Sequence, residues 1–407
     1  ALTLSTEAGD SVEVRLTAAP LVISNHMEKA TRFWLMKFEE SAVGYWHNEA
    51  MVDAYSSLLG DRFEVVRAQR YDYDPWVQDE FEWATLYGPD NEMGVVIDSI
   101  RNGQSSPGSG LDNLPEDKME GPDVIVEEWG QGRASSLDYF GNLEVTPPLT
   151  VDGVYYPLGR VYTGGKGNEK PKPQLEEFLD TQQVQDPFMV DSTWLCVGHV
   201  DEYTSSIPDP SSEKGFRFLY TDTRLAYALL EDLDPSTSLT RYAQTGQRGH
   251  NIATVGELLE DQSLRALNED IQETYLDAEL EVFMEEMGLE ESDIILVPGL
   301  FEEPQGCGRY VAALIPGMVN LIVANVVDEA PMLFVPDPFL RTDEDDQSSD
   351  PLISYVTSVM PSSLELHFLD DWYTYHMGLG EVHCGSNVRR VSTNWWDSAT
   401  HLIEERE

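Results

Sequence analysis

The chain has 407 residues and carries 74 Asp and Glu against 25 Lys and Arg, a formal net charge of −49. That imbalance repels nucleic-acid backbones and anionic membrane surfaces and attracts cations, although most of it reads as a solubility or high-salt adaptation. A hydrophobic content of 41% gives a globular protein with a sizeable core, and three cysteines are too few for a disulfide scaffold.

In chain order, residues 11–24 read as a strand, a proline break and a second strand. Residues 49–60 read as a helix stopped by Gly60, and 63–67 as a strand. This strand–helix–strand rhythm repeats and predicts a mixed α/β protein. Residues 75–83 are dense in carboxylates between tryptophans; read as a strand, they put Gln78, Glu80 and Glu82 on one face and Asp79 on the other. A strand over 93–98 runs into Ser99-Ile100-Arg101-Asn102-Gly103, and the Ser/Gly/Pro-rich 104–110 reads as a mobile loop. Strands follow at 123–128, after a Phe-Gly-Asn turn within 136–145, and at 155–162, with a loop over 164–172. Residues 197–202 hold His199 and Asp201, which would share one face of a strand. A strand at 216–219 and a helix at 223–233 precede the strongest helical periodicity, 252–289, interrupted near its end by Gly288. Strands are expected at 294–297, 310–315, 320–323 and 365–368, with an acidic, Ser-rich mobile loop over 341–351. No clean repeat or linker shows. The recurrence of short strands ending in polar constellations predicts one domain of several α/β units around a shared centre. No apolar run approaches the roughly 20 residues of a bilayer span. The N-terminus lacks a basic segment, an apolar segment and an initiator Met, which leaves room for a removed signal or upstream region.

Three stretches carry chemistry. Cys384 sits between His383 and Gly385 on a glycine-flanked turn, as a candidate nucleophile or as a small buried residue in a tight turn. His199 and Asp201 serve as proton donor and cation binder, or as a structural pair. Gln78, Glu80 and Glu82 suit a hard cation such as calcium, which takes about six to eight oxygen ligands. Asp98, Ser99, Asn102 and the turn from Phe140 to Glu144 would complete such sites. The plainer alternative is a solvated acidic face, against which the flanking Trp76, Phe81 and Trp83 argue. A Cys, a His and two Asp point to guanidinium chemistry. Two carboxylates clamp the planar cation, a thiolate attacks its carbon, and histidine protonates the departing ammonia. Cysteine-protease chemistry fits less well, because carboxylates beside a thiol oppose its ionisation and repel an oxyanion.

These residues resemble the catalytic domain of the peptidylarginine deiminases, calcium-dependent enzymes of the pentein fold, a five-bladed α/β propeller forming a single large domain. The resemblance is carried by Trp76-Val77-Gln78-Asp79-Glu80-Phe81-Glu82, by 98–102, 136–145, 197–202, 289–295, 316–320 and 373–376, by the cysteine motif and by Trp395-Trp396. It covers about residues 15 to 400, with 1–14 as an N-terminal extension and 15–407 as the catalytic domain. It implies Cys384 as nucleophile, His199 as general acid/base, Asp79 and Asp201 as guanidinium holders, Trp76 lining the slot for the arginine stem, and Arg101 as a substrate contact. It implies one calcium at Gln78, Glu82, Glu144 and the carbonyls of Phe140 and Leu143. A second would sit at Glu80, Asp98, Ser99 and Asn102. Calcium would order the strand that aims Asp79. Animal members carry arginines where this chain has Gly103 and Gly378, and a glutamine where it has Pro75. The family's N-terminal β-sandwich domains have no counterpart here.

The expected activity is hydrolysis of arginine in proteins or peptides to citrulline through a covalent thiouronium on Cys384. The alternatives are a deiminase for free arginine or agmatine and, below it, a non-catalytic acidic calcium-binding module. Expected partners are arginine-containing proteins or peptides, with neither nucleic acid nor membrane insertion. Calcium dependence and the processed-looking N-terminus point to secretion, with a cytoplasmic location as the alternative.

Overall fold

The chain takes one route five times among the residues described by its computed structural model, which are 2–5, 11–14, 18–39, 47–88, 90–101, 110–244 and 252–404. Each time, a turn feeds a strand, the next strand pairs with it antiparallel, and a third adds parallel to the second. Phe81–Tyr87, Glu92–Asp98 and Val124–Glu128 form one such sheet, with Leu21–Ile23 added at its edge. Leu143–Val145, Val161–Gly164 and Phe188–Val190 form the second, and Thr204–Pro208, Phe216–Asp222 and Ile294–Pro298 the third. Ile322–Ala324, Met332–Pro336 and Glu365–Leu369 form the fourth. The fifth joins the two ends of the chain: Ser386–Val391 pairs antiparallel with Lys29–Lys37, which pairs parallel with Phe63–Arg67.

A parallel neighbour needs a crossover, and helices supply them. Glu49–Leu59 lies before the third strand of the fifth sheet, Pro173–Gln182 before that of the second, and Pro351–Val359 before that of the fourth. Helix Glu49–Leu59 buries Met51, Val52, Tyr55 and Leu59 on one stripe and stops at Gly60, whose φ of 55° is open to glycine. The long 252–289 signal resolves into helices Val255–Glu260, Gln262–Ile271 and Asp277–Met287, the last two joined by a π-turn. The Asp261 carboxylate caps the second of these, and Gly288 ends the third in the left-handed region. Phe283 from that last helix is fully buried against Tyr162, Phe188, Tyr203, Phe218 and Tyr220, with ring centroids 4.9–6.3 Å away.

Several expectations change. The strand expected over 155–162 is two, Val154–Tyr156 and Val161–Gly164, because the backbone turns at Gly159. A Cβ there would fall 1.8 Å from the Thr146 carbonyl. The 310–315 strand shrinks to Ala312–Ala313. Residues 341–351, expected to be mobile, are anchored: the Arg341 guanidinium donates to Asp337, Asp350 and the Glu344 carbonyl. Residues 104–109 of the other expected mobile loop lie outside the described residues. Leu2–Ser5 and Ser11–Val14 pair as a hairpin. Cys196 and Cys307, 111 residues apart, form a disulfide that the cysteine count did not predict.

Candidate active site

Asp79, His199, Asp201 and Cys384 come from turns that lead into the first full strands of their sheets, whereas Asp98, Ser99 and Arg101 lie at the end of the strand Glu92–Asp98 and just beyond it. Val77–Glu80 is a single helical turn entering Phe81–Tyr87. Phe140–Asn142 and Val200–Glu202 are 3-10 turns entering the second and third sheets. Asn320 closes a turn on Gly317 before the fourth, and Gly385 closes one on Glu381 before the fifth. Two strand readings are therefore corrected. Residues 78–80 are helical and 199–202 are a turn, so period-two alternation does not sort their side chains. The backbone is bent at both places to bring polar groups to one centre.

Cys384 is buried, and its amide and thiol are held by Asn320. The Asn320 Oδ1 accepts from the backbone N–H of His383 (3.0 Å) and Cys384 (3.3 Å), while Nδ2 donates to Cys384 Sγ (3.2 Å) and the Asp201 carbonyl (3.1 Å). The thiol lies 3.4 Å from Asp201 Oδ2. Burial, then the Asp201 and Asp79 carboxylates, push the thiol well above its ordinary pKa.

His199 Nε2 lies 2.8 Å from the Ser136 carbonyl. A carbonyl only accepts, so Nε2 carries the proton and Nδ1 faces Asp79 Oδ1 at 3.5 Å. The turn holding His199 is fastened by Glu202 Oε1, which accepts from the N–H groups of Gly198 and His199. Burial raises Asp79 above the usual carboxylate range; His199 and Arg101 partly offset this, and Asp201 adds to it. Asp79 Oδ1 and Asp201 Oδ1 are buried with no hydrogen-bond partner among the described residues. Asp79, His199 and Cys384 line one cavity of about 320 Å³ with Trp76, Arg101, Tyr139, Gly378 and Gly380. The two glycines make room for the indole: a Cβ at Gly378 or Gly380 would lie 2.8 or 2.5 Å from Trp76. The structure thus brings the four chemistry-bearing residues and Trp76 together. Arg101 is in the same wall, but its guanidinium is paired with Asp74 (2.7 Å) and Glu80 (3.0 Å).

The residues named for calcium fall into two groups. Gln78, Glu82, Leu143 and Glu144 line a cavity of about 30 Å³, enough for one small ion or water, together with His26, His383 and Arg390. Gln78 Nε2 donates to Glu82 Oε2 (2.8 Å) and to the Phe140 carbonyl (3.3 Å), so an N–H stands where these oxygens converge. Burial lifts Glu82 to about 6 and Glu144 to about 7. In the second group, Glu80 is fully buried and its carbonyl accepts from Ser99 N–H at 2.8 Å. Glu80 Oε1 and Asp98 Oδ1 lack hydrogen-bond partners among the described residues. Burial, reinforced by Glu116, Asp112 and Glu128, lifts Asp98 to about 8. Buried, unpartnered oxygens are the donor set a hard cation takes, so the second group fits one. In the first, Glu82 accepts from Gln78 Nε2 and Trp83 N–H and Glu144 faces His26 and His383, so a cation there would replace those contacts. Asn102 lies outside the described residues.

Four residues of this neighbourhood were not singled out from the sequence: Asn320, Glu202, His383 and His26. The first three stand inside the motifs quoted above, where their neighbours drew the attention. His26 carries no local signal. Burial alone would lower the His383 pKa, but Glu144 and the hydrogen bond to Asp201 raise it to about 9.

A family model described as protein-arginine deiminase (PAD) matches residues 8–397. Human protein-arginine deiminase type-4 is 36% identical over 341 residues, covering 80% of this chain and 48% of that protein. Mouse type-1 is 36% identical over 344 residues, with the same coverage of 80% and 48%. The chain thus spans about half the length of the curated relatives it matches. A solved structure provisionally described as a peptidyl-arginine deiminase aligns with a TM-score of 0.50 at 12% identity, covering 92% of this chain and 100% of that one, and shares the α/β fold.

Proposed function

This chain belongs to the protein-arginine deiminase family, and from that premise we propose that it hydrolyses the guanidinium of arginine in proteins or peptides to citrulline and ammonia. The observation that carries the reading is the pair of unpartnered carboxylate oxygens, Asp79 Oδ1 and Asp201 Oδ1, beside a buried thiol and an imidazole. In this reading the five repeated sheets are the blades of a pentein propeller, and the turns at their entrances surround its centre.

A bound guanidinium donates N–H groups to Asp79 and Asp201 while its aliphatic stem lies along Trp76. The carboxylates that hold the Cys384 thiol protonated are then neutralised, so the thiolate becomes accessible with substrate in place. His199 Nδ1 takes the thiol proton. Sγ bonds to the guanidinium carbon, and a C–N bond breaks as His199 returns the proton to the departing ammonia. The remaining thiouronium is opened by water, whose proton again goes to His199. The C–S bond breaks, the thiol re-forms and the ureido group of citrulline leaves.

Calcium would be held by Gln78, Glu82, Glu144 and the Phe140 and Leu143 carbonyls in one group, and by Glu80, Asp98, Ser99 and Asn102 in the other. It supplies positive charge that orders buried carboxylates. Glu80 also pairs with Arg101, so a cation and the guanidinium compete for it.

One observation favours a second reading. Arg101 is committed to Asp74 and Glu80, and Gly378 has no side chain, which removes two grips on a peptide main chain. Free arginine or agmatine is the substrate on that reading. The Cys196–Cys307 disulfide supports a secreted or otherwise oxidising location, with the cytoplasm as the alternative. No helix among the described residues is long and apolar enough to cross a membrane.

The test is release of ammonia and citrulline from an internal peptidyl arginine, a C-terminal arginine, free arginine and agmatine, each with calcium or chelator. Turnover of the internal peptidyl arginine, lost in chelator, supports the first reading. Turnover of the small guanidines alone replaces it with the second.

A further inference from the structure

The Glu144 cavity contains two histidines that the proposed reaction does not use. His26 precedes the fifth sheet's middle strand and His383 precedes the cysteine, yet their ring centroids lie 5.9 Å apart. In each ring Nδ1 is taken by an oxygen acceptor. His26 Nδ1 lies 3.2 Å from the Ser206 carbonyl, and His383 Nδ1 lies 2.9 Å from Asp201 Oδ2. Both Nε2 atoms therefore point at one carboxylate: His26 Nε2 is 3.6 Å from Glu144 Oε2 and His383 Nε2 is 3.4 Å from Oε1. The three ligand atoms lie within 4.8 Å of one another, and all three residues are buried.

That arrangement is what metal-binding histidines show. An oxygen on Nδ1 aims Nε2 at the ion; at His383, whose pKa is raised to about 9, the ion would bind in place of the Nε2 proton. Bonds of about 2.0–2.1 Å in a tetrahedral zinc site put neighbouring ligand atoms about 3.4 Å apart, close to the two histidine–carboxylate separations found here. Calcium takes oxygen, whereas imidazole selects zinc, cobalt, nickel or copper. Glu82, in the same lining, would serve as a fourth ligand by giving up its hydrogen bond from Gln78. Arg390 also lines the cavity, but its N–H groups are turned to the Glu28 and Val323 carbonyls.

We propose that this cavity binds a divalent ion of the zinc class through His26 Nε2, His383 Nε2 and Glu144, and that this ion competes with calcium for Glu144. The site itself is independent of the calcium reading; the competition rests on it. Occupancy would be felt at the nucleophile, because His383 and Cys384 share Asp201 Oδ2.

The test uses the full chain, stripped with chelator and carrying Cys384→Ser so that no thiol competes as ligand. Cobalt(II) titration is expected to give one equivalent with a visible ligand-field band, displaced by zinc. His26→Gln is expected to weaken cobalt binding by about tenfold or more while calcium affinity, read by calorimetry, changes by less than about twofold. Zinc-edge X-ray absorption on the unmutated chain, expected to show two imidazoles, keeps the idea testable if His26→Gln misfolds. A shell of oxygens alone, cobalt affinity indifferent to His26→Gln, or cobalt binding lost with Cys384→Ser would each overturn the site. If cobalt binds through His26 while calcium does not bind at all, the site stands and the competition falls.

Discussion

Arg341 and Cys384 lie at the centres of two buried carboxylate pairs that the chain treats in opposite ways. At Arg341 the guanidinium donates to Asp337 at 2.6 and 2.9 Å and to Asp350 at 3.3 Å, and all three side chains are at most 2% exposed. At Cys384 the carboxylates are Asp79 and Asp201, and no Lys or Arg among the described residues makes an ion pair with either. One pair is filled by an arginine of the chain itself. The other keeps oxygens with no hydrogen-bond partner among the described residues, which on the proposed reading receive the substrate guanidinium. The unpartnered pair carries a desolvation penalty that the Arg341 guanidinium offsets at Asp337 and Asp350.

The comparison can be broken at either end. The largest expected effect is Cys384→Ser, which should lower ammonia release by at least about 10³-fold with little change in thermal stability. Asp79→Asn should lower kcat/KM by about 10²-fold or more, yet leave Tm unchanged or raise it, because it removes an unpaired buried charge. A fall in Tm would mean that Asp79 is structurally paired after all. The mirror experiment is Arg341→Met, which strands two buried carboxylates and should destabilise the fold by about 3–5 kcal/mol, with activity per folded molecule retained. Urea titrations would read it.

Smaller effects sharpen the picture. Glu144 and Asp98 are raised to about 7 and about 8 in the folded chain. The folded state holds these protons more tightly than the unfolded one, so their contribution is full below about pH 4 and is lost as pH rises towards about 8. In chelator, urea midpoints should fall between about pH 5 and about pH 8, and calcium should flatten that slope. An unchanged slope with calcium would argue against both cation groups. The smallest shift concerns the thiol. Asp79 is among the groups that hold Cys384 protonated, so Asp79→Asn should lower the pH midpoint of Cys384 alkylation.

Much of the fold was legible where one segment carried its own evidence. Helix 49–59 announced its terminal Gly60, and the helices of 252–289 their period and the closing Gly288. The site was legible as a set of residue types, since Cys, His and two Asp in one chain restrict the chemistry whatever the backbone does. Their arrangement was not legible. Alternation over 78–82 and 199–201 read as strand, but 78–80 and 199–201 are turns, held by contacts such as Gln78 N–H to the Cys384 carbonyl at 3.2 Å, and the strand begins only at Phe81.

The sequence by itself thus determined most of the longer helices and strands, the guanidinium-directed residue set and the excess of carboxylates, because each is a property of one segment or of composition. Tertiary structure decided the partners. It gave Arg101 to Asp74 and Glu80, joined Cys196 to Cys307, set Asn320 around Cys384 and brought His26 to Glu144. Local propensity shapes a segment, but which distant segments share a buried, low-dielectric centre depends on how the five sheets pack. There a carboxylate's partner, more than its identity, sets its charge and its use.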